Sequence, residues 1–113
     1  MNRSQQLNRL SQIARITLDR RLADLRQAAE AKSQSEARLR DLAAQPPASD
    51  LSPVAAHLAE LRWQKWADRR RVEINLVLAR QTADWLSARE AAQAAFARGE
   101  ALQAIRRKFD QLS

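Results

Sequence analysis

Residues 60–73 read ELRWQKWADRRRVE, and they hold the side chains best suited to recognition chemistry in this chain. Trp63 and Trp66 stand three residues apart, next to Lys65 and the run Arg69-Arg70-Arg71. Tryptophan is enriched among the residues that anchor interfaces. A cluster of arginines attracts anionic partners. The stretch therefore suits a core, a nucleic acid or another protein, and the rest of the sequence has to choose. Other chemistry is sparse. His57 is the one histidine, with no cysteine and no suitably spaced carboxylate to share a metal. It reads as an exposed or half-packed helix residue. A single glycine excludes a glycine-rich phosphate loop. Carboxylates such as Glu36 and Asp41 sit where helix-surface charge pairs form, and general acid–base work needs a cleft that two helices do not make. The residues point away from an enzyme, and they imply no cofactor.

Composition agrees. The chain has 113 residues, 45% hydrophobic and 29% charged, with aromatics at 4%. One domain is expected at this length. Alanine, leucine, arginine, glutamine and glutamate dominate, all strong helix formers. Alanine yields little free energy on burial, so a thin helical seam is expected rather than a thick core. The net charge is +7 and the isoelectric point about 11.4, almost all from arginine. Such charge favours nucleic acid, acidic protein surfaces or anionic lipid as partners. A polar start and the lack of a long apolar run predict a soluble, cytoplasmic protein.

The elements that must carry these residues follow from the breaks. The first segment, about Arg3 to Ala43, has neither glycine nor proline. Leu7, Leu10, Leu18, Leu22, Leu25, Leu39 and Leu42 recur at helical spacing, interrupted by a polar gap from Glu30 to Glu36. Asn2 or Ser4 suits the cap. Pro46-Pro47 ends the helix and opens a hinge over residues 44–52. Ser52-Pro53 then starts a second helix, about 53–112, with a serine cap and proline in the first turn. At 1.5 Å per residue these rods measure roughly 60 and 90 Å. The predicted fold is all-α: one helical hairpin whose two long helices form an antiparallel coiled coil.

Folding tightly about the hinge sets Leu42 opposite Val54, Leu39 opposite Leu58, Leu25 near Val72 and Leu18 opposite Leu78. In that register Trp63 and Trp66 face the polar gap, near Glu30 to Ser33, and lack internal partners. Residues beyond about 95 overhang, leaving Leu102, Ile105, Phe109 and Leu112 uncovered among Arg98, Arg106, Arg107 and Lys108. The early stripe Val54, Leu58, Leu61 is out of phase with Ile74, Leu78, Trp85, Ala88, Ala92, so a stutter is expected near 62–73. Gly99 is the one weak point of the second helix, and Trp85 is expected in the seam. Uncovered apolar surface marks a partner site. Trp63 and Trp66 are thus candidate anchors, with Arg69, Arg70 and Arg71 as polar rim or steering charges.

Arg20-Arg21-Leu22 to Leu42, the Pro46-Pro47 turn and the run AREAAQAAFARGEALQAIRRK (Ala88–Lys108) resemble the flagellar FliJ family and the YscO-type stalk proteins of injectisomes. The resemblance covers nearly the whole chain and consists of composition and periodicity, without an invariant motif. It implies a non-enzymatic component of a type III protein export apparatus, similar to the rotary stalk of F-type ATPases, linking the export ATPase ring to the export gate. Its partners would be the hexameric export ATPase, the cytoplasmic domain of the gate protein and export chaperones, with membrane association only through the apparatus. Carried onto this sequence, Arg3, Arg9 and Arg15 with Arg98, Arg106, Arg107 and Lys108 would enter the ATPase pore. Trp63, Trp66, Arg69, Arg70 and Arg71 would meet the gate. The alternatives are a generic coiled-coil adaptor and a basic helical nucleic-acid binder. Against the last, Asp68 and Glu73 interrupt the basic run, and the seam after it reads Ile74, Gln81, Ala88, Ala95 rather than leucine heptads.

Overall fold

Both predicted helices form, and each starts on its own cap. The computed structural model describes residues 2–44 and 52–112, and contains α1 (Arg3–Ala43) and α2 (Pro53–Leu112). At the start of α1, Asn2 Oδ1 accepts the Gln5 backbone N–H at 2.8 Å, while Gln5 Oε1 accepts the Asn2 N–H at 3.2 Å. This reciprocal pair satisfies two donors that the first turn leaves orphaned. At the start of α2, Ser52 Oγ accepts the Ala55 N–H at 3.3 Å, and Pro53 occupies a position where no N–H is required. The last turn of α1 tightens as Ala44 N–H reaches the Asp41 carbonyl at 3.2 Å. The Pro46-Pro47 turn lies outside the described residues.

α2 runs for 60 residues without a break. Gly99 does not interrupt the helix, and the change of phase expected near 62–73 falls between Trp63 and Ala67. Burial shows it. Ala67, Ile74, Gln81, Ala88, Ala95, Leu102 and Phe109 are all buried or half-buried and follow one another at seven-residue steps. Leu78, Trp85, Ala92 and Gly99 interleave with them in the same frame. α1 answers with Leu7, Ala14, Ala28, Ser35 and Leu42, interleaved with Ser11, Leu18, Leu25, Lys32 and Leu39. These are the two seam positions of a heptad repeat. Carried back past Ala67, the frame of α2 would bury Glu60 and Gln64, yet both are exposed and Trp63 is half-buried instead. The phase therefore shifts between Trp63 and Ala67, while Val54, Leu58 and Leu61 are exposed.

Contacts divide the chain into two units. In the unit Glu30–Thr82, Leu42 packs with Ala67 and Ile74, and Leu39 and Trp63 close over them. The deepest polar group is Ser35, whose hydroxyl donates to Gln81 Oε1 at 2.5 Å. Leu42 lies near Ala67 while Ser35 meets Gln81, so the two helices run antiparallel. The tight register is overturned here: Leu42 and Leu39 pack on Ala67 and Ile74, not on Val54 and Leu58. The polar gap of α1 is a polar layer of the seam. Lys32 bridges to Glu36 at 3.1 Å across its rim, and Ser35 fills its centre. A hydrogen-bonded polar pair in an apolar seam specifies register, because every slipped alignment strands both groups without partners.

The other unit comprises Met1–Ala29 and Ala83–Ser113. Its core is Ala92 and Ala95. Residues past 95 do not overhang. Asn8, Ser11, Gln12 and Leu18 of α1 share a groove of about 690 Å³ with Phe96, Gly99, Gln103 and Arg106 of α2. Leu102 and Phe109 are half-buried, while Ile105 and Leu112 point outward. The groove exists because the seam is lined there by Ser11, Ala14 and Gly99, which are small. A Cβ at Gly99 would meet nothing within 4 Å. Ser11 Oγ is buried with no hydrogen-bond partner among the described residues.

Candidate protein-binding surfaces

The two tryptophans of the opening stretch part company. Trp63 is half-buried against Leu42, Ala67 and Ile74, so it has the internal partners that the tight register denied it. Its indole belongs to the core of its unit. Trp66, three residues on, points away from that core and is 54% exposed. Trp85 is half-buried in the seam, as expected, with the Arg89 guanidinium 5.6 Å from its ring centroid, within the range of a cation–π contact.

The arginine run also divides. Arg70 pairs with Glu73 at 3.1 Å and Arg71 with Asp68 at 2.7 Å. These local pairs, three residues apart on one helix, neutralise two of the three cations and contribute little stability at the surface. Arg69 has no ion-pair partner among the described residues, and neither do Arg62 and Lys65. The free cations of this region are therefore Arg62, Lys65 and Arg69.

Within the unit that holds both chain ends, Arg3, Arg9 and Arg15 precede the first acidic residue, Asp19. Arg15 and Arg106 line the same groove, and Arg106 and Arg107 flank a smaller one with Gln103 and Asp110. Arg98 and Lys108 are exposed on α2. None of these seven cations forms an ion pair among the described residues. Two more arginines, Arg20 and Arg21, converge on Asp24 at 3.4 and 3.6 Å.

The remaining candidate chemistry stays dispersed. His57 is exposed on the first turns of α2. Glu36 is engaged by Lys32 in an ion pair on the helix surface, and Asp41 is exposed. No group of histidine, cysteine, aspartate or glutamate among the described residues could hold a metal ion. No helix among them is long and apolar enough to cross a membrane.

The surface that sequence reasoning missed is the outer side of α2. Val54, Leu58 and Leu61 were expected under α1, and Val72 beside Leu25, yet all four are exposed together with Leu76. The signal was present: apolar residues at spacings of three and four on both sides of one helix. Assigning both stripes to a single seam hid it.

Comparison with family models, with curated proteins and with solved structures returned no match to this chain.

Proposed function

We propose that the chain is a non-enzymatic coiled-coil protein that connects other proteins. More narrowly, we propose a stalk of a flagellar-type (type III) export apparatus, linking the export ATPase ring to the export gate. The observation that supports this best is the distribution of free charge. Seven cations with no ion pair among the described residues belong to the unit bearing both chain ends, and the stretch of α1 before Asp19 holds no carboxylate. Charge left without local counterions serves steering and capture more than stability. In this reading Arg3, Arg9, Arg15, Arg98, Arg106, Arg107 and Lys108 approach the ATPase ring. Trp66 and Arg69 are the members of the gate-facing set that remain available. The resemblance of Arg20–Leu42 and Ala88–Lys108 to the export stalks supports the same assignment.

A pull-down of the full chain from its native lysate, at moderate salt and with nuclease, tests the reading by mass spectrometry. Recovery of an export ATPase or a gate component, weakened by Arg106→Glu with Arg107→Glu, is the expected result. Recovery of nucleic-acid-associated proteins alone, abolished by nuclease, overturns it.

A further inference from the structure

α2 carries a second apolar stripe. Val54, Leu58, Leu61, Val72 and Leu76 are each at least 42% exposed. At 3.6 residues per turn they fall within about 60° of one another, roughly opposite Ala67 and Ile74. α1 occupies the seam side of α2 in the unit Glu30–Thr82, so it cannot cover this stripe. The cations on the stripe side are those with no counterion among the described residues. Lys65 and Arg69 fall between Leu61 and Val72 along the stripe, and Arg62 borders it. Glu73 and Asp68, the acids nearest this face, are already engaged by Arg70 and Arg71.

We propose that the outer face of α2 binds an acidic amphipathic helix of a partner protein. The partner's apolar residues would lie along Val54, Leu58, Leu61, Val72 and Leu76, and its carboxylates against Arg62, Lys65 and Arg69. Three observations select this occupant. Val54, Leu58 and Leu61, and again Val72 and Leu76, are spaced by three and four, with Lys65 and Arg69 in the turns between, and a helix laid in such a face is read through anchors at i, i+3, i+4 and i+7. The free charges on the face are all positive, so the complementary surface is negative. A second copy of this chain would bring Arg62, Lys65 and Arg69 of both protomers together on a molecule of net charge +7, and like charges across an interface discriminate against that pairing. Nucleic acid would engage the cations but leave the stripe uncovered, since phosphate contacts are polar.

The inference rests on the reading of the chain as a connecting protein, not on the export assignment. Its test separates the two. A photo-crosslinking amino acid is placed in the full chain at position 58, at position 76, or at position 105 beside the terminal cations, and irradiated in the native cell. The expected product at positions 58 and 76 is a segment of another protein that is rich in aspartate and glutamate, with apolar residues at spacings of three and four. Leu58→Asp with Leu61→Asp should cut the yield at position 76 roughly tenfold, as for loss of an interface anchor. Helicity and melting should stay unchanged in that variant, because neither residue touches the seam. Lys65→Glu with Arg69→Glu should cut it as well. A crosslink at 58 to a second copy of this chain, to nucleic acid or to lipid overturns the inference, as does a non-acidic partner segment or no crosslink. Export components captured at position 105 with nothing at 58 leave the stalk reading standing and this surface refuted. An acidic helix at 58 from a protein outside any export system does the reverse.

Discussion

Trp63 and Trp66 have the same chemistry and opposite fates, decided by 300° of helix rotation between them. Trp63→Ala removes an indole packed on Leu42 and Ile74, and about 2–3 kcal/mol of stability should go with it. Trp66→Ala removes an indole that faces water, and thermal melting should move by less than the equivalent of about 0.5 kcal/mol. Equal losses in the two variants would contradict the register. Ser35 makes a second residue-level case. Ser35→Ala leaves Gln81 Oε1 without its donor, at a cost of about 1–3 kcal/mol in denaturant unfolding. Ser35→Ala combined with Gln81→Leu should regain most of that loss, because an apolar pair no longer has groups to satisfy. A double variant as unstable as the single one would show that the hydrogen bond itself, not the stranded acceptor, carries the effect.

At the scale of the elements, the register decides which parts of α2 are protected. Val54, Leu58 and Leu61 have no cover from α1, while Ala92, Ala95 and Leu102 lie in the seam. Amide hydrogen exchange should therefore be fast over residues 53–62 and slow over 85–102, since exchange follows local burial. The tight register expected from the hinge demands the reverse at the early end of α2, so one exchange profile distinguishes them. Gly99 provides an independent check. A methyl group there enters open space, with no atom within 4 Å. Gly99→Ala should raise stability by about 1 kcal/mol through helix propensity alone. That is worth roughly 4–8 °C in melting temperature for a domain of this size. A drop in melting temperature would mean that the groove beside Ser11 and Phe96 must stay empty.

At the scale of the whole molecule, charge dominates. The chain carries +7, and the cations without an ion pair among the described residues include those on the outer face of α2 and those in the unit bearing the chain ends, while Arg70, Arg71, Arg20 and Arg21 are held by neighbouring acids. Recognition by such surfaces is long-ranged at low salt and short-ranged at high salt, because the screening length shrinks from about 30 Å at 0.01 M to about 10 Å at 0.1 M. Association rates with the partner should fall by an order of magnitude or more across that range. Dissociation rates, set by the apolar stripe, should change far less. A dissociation rate that rises as steeply as the association rate falls would assign binding to charge alone.

The sequence by itself determined the helices. The absence of glycine and proline from Arg3 to Ala43, the lone glycine of the second segment, the Asn2 and Ser52 caps and Pro53 leave no competing local structure, and the later seam through Ile74, Gln81, Ala88 and Ala95 was readable from its spacing. It could not determine which of two apolar faces of α2 meets α1, because both have helical periodicity and periodicity is blind to pairing. The tertiary structure decided that through quantities summed over a whole interface. One register buries Leu42 on Ala67 and Ile74 and gives Ser35 its partner in Gln81. The alternative would have stranded that serine and buried Val54, Leu58 and Leu61 instead. Covering one face left the other bare, and the candidate binding surface is that remainder.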